Sequence, residues 1–227
     1  MGISEDISCD GSKKILNKKT QNRAIESDYK MVEQTIYLLA EGGVSAVTLE
    51  SVGIRAGYSR GLVTRRYGSK EKLLIRVLNY LQDWLEENAK TATKDLHGID
   101  AINNLILSVS EDIIINEVKY KAYFWLVFYG LESKSELNSY LLKVLKERES
   151  QNIKWLKEAL VLEQLSRNSD IEMMADFIMM SMMGIVHKWM VDPNFNIELR
   201  LKQLVKIQLK IMFENSHQYY SVKFWGE

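Results

Sequence analysis

The residues of this chain whose types and spacing could do chemistry are basic and hydroxyl side chains between positions 48 and 72. They are Thr48, Arg60, Thr64, Arg65, Arg66 and Lys70, with Gly61 among them. Guanidinium groups can bind guanine edges with two parallel hydrogen bonds, and hydroxyl and ammonium groups suit phosphates. We find no paired nucleophile and base, no phosphate-binding glycine loop and no metal-ligand spacing. The pattern therefore favours nucleic-acid binding over catalysis.

Two short helices around a tight turn are predicted to position these side chains. Thr48 is a good N-cap for the first helix, and Gly57 can end it because a residue just past a helix often needs positive φ. Ser59 can cap a second helix, in which Val63 and Tyr67 are four apart and can face inward. This arrangement is a helix-turn-helix, whose second helix reads the major groove.

Each candidate receives a role from its position in that arrangement. Arg60, Thr64 and Arg65 are the candidates for base edges, and Gly61 would let the backbone come close to DNA. Thr48, Arg66 and Lys70 are the candidates for phosphates, which set register and affinity rather than sequence preference.

The segment from about residue 28 to 75 resembles the tetracycline-repressor (TetR) family of transcription regulators. The residues that carry the resemblance are Gly43, Thr48, Ala56, Gly57, Ser59, Gly61, Val63, Gly68, Ser69, Lys70, Glu71 and Leu73. The chain departs from the family at Gly53, Leu62, Thr64 and Tyr67, where Ala, Thr, Tyr and Phe are usual. The missing tyrosine removes a common DNA contact, so the family's base preference does not carry over. The resemblance implies a homodimer built by the last two helices, and control by a small molecule.

Composition and charge fit a DNA-binding module carried by a larger domain. The chain has 227 residues, is 46% hydrophobic and has Cys9 as its single cysteine, so it forms no internal disulfide. Its net charge is zero, but residues 11–72 hold 12 Lys and Arg against 6 Asp and Glu. We expect a cytoplasmic protein without a membrane span, because the most apolar run, residues 177–186, is too short.

Helical periodicity and a single proline predict an all-α fold with an N-terminal three-helix helix-turn-helix domain and a larger C-terminal helical domain. We expect a flexible basic arm at 1–27, the DNA-binding domain at 28–72 and an effector-binding and dimerisation domain at 73–227. The arm either touches DNA or is a solvated tail. After a long helix from Ser69 to about Ala89, further helices are expected at about 99–115, 119–130, 135–162, 170–191 and 196–214. The aromatic C-terminal tail could fold back or bind a partner.

The aromatic run at residues 120–129 is apolar almost all round, which predicts a helix buried on every side. Core packing explains such a helix, and so does a cavity lined by some of its rings. If a cavity exists, an apolar or aromatic effector would fit it. The candidates for effector contacts are Trp84, Trp125, Phe128, Tyr129, Met183 and His187.

The apolar stretch at residues 171–191 divides into two helical faces, of which one can serve the core and the other a partner chain. Together with the last helix, it could form a four-helix interface in a symmetric dimer. The candidate interface residues are Ile178, Met182, Ile185, Trp189, Leu201, Leu204 and Gln208.

The sequence thus predicts a dimeric, sequence-specific DNA-binding regulator without a cofactor or bound metal. It would bind a palindromic operator in double-stranded DNA and act as a repressor released by a small molecule. The alternative is a helical ligand-binding or enzymatic protein whose N-terminal unit no longer binds DNA.

Overall fold

The computed structural model describes the backbone of residues 8–131 and 135–212, and the side chains of 21–131 and 135–207. These residues form helices without strands, as the sequence predicted. The helices are α1 (Ser8–Ala46), α2 (Leu49–Ala56), α3 (Arg60–Tyr67), α4 (Lys70–Ala92), α5 (Gly98–Ile115), α6 (Glu117–Tyr129), α7 (Glu136–Val161), α8 (Ile171–Val191) and α9 (Ile197–Met212).

The chain divides into two compact units. The N-terminal unit ends at Val77 and the C-terminal unit begins at Leu78, so the boundary falls inside α4. The predicted division at 72/73 lies close to this boundary, and the covalent link between the units is a continuous helix.

The helix-turn-helix forms through the caps that the sequence predicts. The Thr48 hydroxyl accepts from the Ser51 N–H, and the Ser51 hydroxyl accepts from the Thr48 N–H, which is a capping box. Gly57 ends α2 in the left-handed region at φ 77°, and Ser59 caps α3 by accepting from the Leu62 N–H. Val63 and Tyr67 are buried, as expected from their spacing.

The packing around Gly53 explains why this chain has glycine where alanine is usual inside α2. A Cβ built on Gly53 would lie 2.9 Å from the Tyr58 carbonyl oxygen and 3.2 Å from the Arg60 nitrogen. These are backbone atoms of the turn, so they cannot move aside as a flexible side chain would. The close approach of α2 to the turn therefore requires glycine here, although glycine lowers helix propensity.

The first helix differs from its prediction. We expected a flexible arm at 1–27 before the DNA-binding domain, whereas α1 is helical from Ser8. Residues 21–26 are all exposed, so this part of the helix carries no apolar stripe from which periodicity could detect it. At the other end Gly43 has φ 65°, which interrupts the helix three residues before Ala46.

The C-terminal unit contains the larger core, and its helix bounds agree with the predicted ones to within a few residues. Buried side chains from α5, α6, α7, α8 and α9 form this core, including Ile106, Leu156, Ile178 and Leu201. The expectation that α6 is buried on every side is wrong, because Trp125 and Tyr129 are each 39% exposed. A helix rich in aromatic residues is apolar in composition even where one of its faces is exposed to water.

Within the described residues, no helix is long and apolar enough to cross a membrane. The same residues hold no group of three His, Cys, Asp or Glu side chains placed to bind a metal ion.

Candidate nucleic-acid interface

The outer face of α3 presents the residues that the sequence assigned to base edges. Arg60, Thr64 and Arg65 are exposed on this helix, while Val63 and Tyr67 hold its opposite side in the core. The exposed side chains have the donors and acceptors that base edges require. The structure therefore leaves one basic, polar face of α3 free to enter a groove.

Gly61 lies on the same exposed face, and nothing inside the chain requires glycine there. A Cβ on Gly61 would meet only the Ser59 hydroxyl oxygen, at 3.9 Å, which is an ordinary contact. Gly61 also has no positive φ that would exclude other residues. Because Gly61 has no side chain, another molecule can come close to the backbone of α3 at this position.

Arg66, a phosphate candidate, is engaged inside the N-terminal unit. Its Nη2 donates to the Ser27 hydroxyl at 2.7 Å, and its Nη1 lies 3.8 Å from Asp28 Oδ1. Its Nε is buried without a hydrogen-bond partner. The side chain points into the fold and not outward beside Arg65, so a direct phosphate contact from Arg66 would require breaking these contacts.

Asp28 joins three helices of the N-terminal unit. Its Oδ1 accepts from the Tyr67 hydroxyl at 2.8 Å, and its Oδ2 accepts from Arg76 Nη2 at 2.9 Å. Burial and the neighbouring carboxylate raise the pKa of Tyr67, so the phenol stays a donor. We call Ser27, Asp28, Arg66, Tyr67 and Arg76 the Asp28 cluster. It holds α3 against α1 and the first half of α4.

Lys70, another phosphate candidate, also has a partner in the fold. Its ammonium donates to the Val44 carbonyl at 2.7 Å, and burial lowers the pKa of this lysine. An ammonium has further N–H donors, so a phosphate contact stays a prediction. Thr48 is exposed at the start of α2, with its hydroxyl engaged in the capping box.

The effector candidates occupy several places in the C-terminal unit. The rings of Phe128 and His187 meet edge to face at 5.9 Å, which brings α6 and α8 together. Trp84 packs instead against Tyr120 at 5.2 Å, with the Lys119 ammonium 4.6 Å above its ring. Trp125 and Tyr129 lie on the exposed side of α6, and Met183 is half-buried on α8. Their convergence on one cavity stays a prediction.

Most of the dimer candidates pack within one protomer. Ile178, Leu201 and Leu204 are buried within one chain, and Met182, Ile185 and Trp189 pack against the same core, so this face of α8 serves the protomer itself. The side chain of Gln208 lies outside the described residues. The opposite face of α8 is exposed and carries apolar side chains, with Met173 63%, Met180 69% and Val191 69% exposed, beside the exposed Asp176 and His187. Periodicity shows that a helix has two apolar faces, but only packing shows which one is covered.

Sequence reasoning missed the polar side chains that join helices. Asp28, Gln82, Asp112 and Arg148 were not among the residues that the sequence singled out. Each interrupts an apolar stripe at a position that faces the interior, and this interruption is the signal that could have found them.

Comparison with known proteins supports the helix-turn-helix assignment. Residues 32–77 match the family model for bacterial regulatory proteins of the tetR family. The resemblance found in the sequence is thereby confirmed over the N-terminal unit. No curated protein matches the chain in sequence.

Solved structures share the fold along most of the chain. SmeT, the repressor of the Stenotrophomonas maltophilia multidrug efflux pump SmeDEF, is 18% identical, with a TM-score of 0.67 over 83% of this chain and 91% of that one. FadR from Bacillus subtilis in complex with stearoyl-CoA is 14% identical, with a TM-score of 0.65 over 79% and 96%. KstR2 of Mycobacterium tuberculosis, a ketosteroid transcriptional regulator, is 16% identical, with a TM-score of 0.60 over 80% and 92%. The whole chain therefore has the fold of TetR-family regulators.

Proposed function

We propose that this chain, with the fold of TetR-family regulators, is a dimeric DNA-binding transcriptional repressor released by a small molecule. The observation that carries the proposal is the outer face of α3, where Arg60, Thr64 and Arg65 are exposed around Gly61. The Asp28 cluster fixes this helix on the N-terminal unit. Rigid support of a reading helix is what sequence discrimination requires, since a misplaced donor loses its base contact.

A palindromic operator requires two copies of α3 related by a two-fold axis. The exposed apolar face of α8 supports dimerisation, because Met173, Met180 and Val191 would otherwise remain in water. An isologous contact of this face with its copy would bury these side chains in a symmetric interface. This face replaces the buried face that the sequence suggested.

Release by a small molecule is supported by the aromatic interior of the C-terminal unit and by α4, which is continuous across both units. Among proteins of this fold, SmeT has been solved with triclosan and FadR with stearoyl-CoA. Ligand binding and DNA binding are thermodynamically linked. A ligand that weakens operator affinity tenfold loses about 1.4 kcal/mol of its own binding free energy when DNA is bound.

The experiment is selection of bound fragments from the source genome with the full chain, followed by titration at several salt concentrations. We expect enrichment of fragments with inverted repeats and affinity that falls steeply with salt, since phosphate contacts release counterions. Failure to bind any fragment specifically at low salt would refute the proposal and favour a helical ligand-binding or enzymatic protein instead.

A further inference from the structure

A polar cluster lies inside the C-terminal unit, where α4, α6 and α7 meet. Arg148 of α7 donates from Nη2 to the Gln82 side-chain oxygen at 3.2 Å, and its guanidinium lies 5.2 Å from the centre of the Tyr123 ring. The Tyr123 hydroxyl donates to the same Gln82 oxygen at 3.5 Å. Tyr123 and Gln82 are buried, and Arg148 is half-buried. A permanent positive charge therefore lies against the interior of this unit.

No carboxylate among residues 21–131 and 135–207 forms an ion pair with Arg148, whose one hydrogen-bond acceptor there is the neutral amide of Gln82. Its remaining N–H donors are not sealed in the interior, in contrast to the buried Arg66 Nε. Gln82 in turn donates from Nε2 to Glu86 Oε1 at 3.1 Å, so a carboxylate lies one step from Arg148 but forms no ion pair with it. Partial burial of a charge beside a neutral acceptor costs free energy that a directly bound anion would recover. Arg148 is thus accessible and lacks a counter-ion.

The contacts that Arg148 makes are ones that an anion could replace. The Gln82 oxygen is shared by two donors at 3.2 and 3.5 Å, which are long for hydrogen bonds. A carboxylate would offer two charge-assisted bonds of about 2.7–2.9 Å in a geometry that matches the guanidinium fork. The Tyr123 ring below the guanidinium keeps the fork in place for such a ligand.

The other charges around the cluster limit how negative a ligand can be. Asp112 of α5 accepts from Asn88, Asn116 and Tyr120. Burial and this carboxylate raise the pKa of Tyr120, and Arg148 opposes the rise. Burial raises the pKa of Tyr140, and Asp83, Glu86 and Glu147 add to the rise. These carboxylates repel a second negative charge, so a monoanion fits better than a dianion such as a phosphate monoester.

We propose that Arg148 binds the carboxylate of an organic monoanion, with an apolar or aromatic body, in the C-terminal unit. This inference rests on the proposed function, because the anion would be the effector. The carboxylate replaces Gln82 as the acceptor of Arg148 and so releases Gln82 from α7. Gln82 lies on α4, the helix whose first turns belong to the N-terminal unit, so the exchange changes how that helix is held.

The test uses 1-naphthoate and its neutral isostere 1-naphthamide as probes of the full-length protein. We expect naphthoate to raise the melting temperature with concentration, because a ligand that binds only the folded state stabilises it, and naphthamide to bind at least about tenfold more weakly. Arg148→Gln should lower naphthoate affinity by at least about tenfold as well. The matched control is Arg167→Gln, an exposed arginine of the same unit, which should leave naphthoate affinity unchanged.

Equal binding of naphthoate and naphthamide, or no thermal shift by naphthoate at about 10 mM, would overturn the inference. So would an Arg148→Gln variant that binds naphthoate normally. The comparison of naphthoate with naphthamide on the unmutated chain tests the inference even if the Arg148→Gln variant does not fold. DNA binding of the ligand-free protein is measured in the same samples. Intact DNA binding without carboxylate binding refutes this inference alone, whereas loss of specific DNA binding counts against the proposed function.

Discussion

Arg65 combines exposure on α3 with the chemistry that base recognition needs. It lies in the second half of α3 and is exposed, whereas its neighbour Arg66 is held by Ser27 and Asp28. Adjacent arginines on a helix point about 100° apart, so one can serve the groove while the other serves the fold.

We expect Arg65→Ala to weaken specific DNA binding by about 1–3 kcal/mol and to relax the preference at one base pair, because a bidentate contact is lost. The measurement is competition binding between the operator and single-base variants. Arg167→Ala, at an exposed position in the C-terminal unit, is the control and should bind as the unmutated chain does. Unchanged affinity and preference for Arg65→Ala would mean that α3 is oriented differently on DNA.

At the scale of the helices, the Asp28 cluster decides how precisely α3 is placed. One carboxylate receives hydrogen bonds from Tyr67 on α3 and Arg76 on α4, and lies within an ion-pair distance of Arg66. Loss of its charge would leave two half-buried guanidinium groups with only neutral partners here.

We expect Asp28→Asn to lower the free energy of unfolding by about 1–3 kcal/mol, because charge-assisted hydrogen bonds become neutral ones. It should also weaken binding to all operator variants alike, since α3 is less well held but its base contacts are unchanged. Chemical denaturation and competition binding measure the two effects. Glu33→Gln, on the same helix, is the control. A variant with lower stability but full operator affinity would show that the cluster is not needed to position α3.

Gly53 provides a second test at this scale. Propensity alone predicts that Gly53→Ala stabilises α2 by about 1 kcal/mol. Because the new Cβ would meet the Tyr58 carbonyl oxygen at 2.9 Å, we expect a loss of stability instead, by about 1–2 kcal/mol. Gly61→Ala is the control, since its Cβ has room and should leave stability unchanged or slightly higher. A more stable Gly53→Ala protein in thermal denaturation would show that the turn relaxes at little cost.

For the whole molecule, we propose that assembly depends on the exposed face of α8. We expect Met180→Glu to dissociate the dimer without unfolding the chain, because Met180 is exposed in one protomer and a carboxylate would be buried between two. Sedimentation gives the mass, and circular dichroism checks the fold. Leu142→Glu, at an exposed position on α7, is the control and should remain dimeric. A Met180→Glu protein that is still dimeric would exclude this face as the interface.

The sequence by itself determined the N-terminal unit and the helical class. Caps such as Thr48 and Ser59, the stop at Gly57 and the spacing of Val63 and Tyr67 are local signals, because a helix ends through groups a few residues away. The helices of the C-terminal unit followed from apolar periodicity in the same way, and most of their bounds were right to within a few residues.

Only the tertiary structure decided which side chains serve the fold and which remain free. Arg66 and Asp28 are 38 positions apart, and Gln82 and Arg148 are 66 apart, so no local pattern links them. The two apolar faces of α8 are alike in composition, and packing alone covered Ile178 and left Met180 in water. Long-range contacts depend on how helices meet in space. A period of 3.6 residues identifies the apolar face of a helix but not the helix against which that face packs.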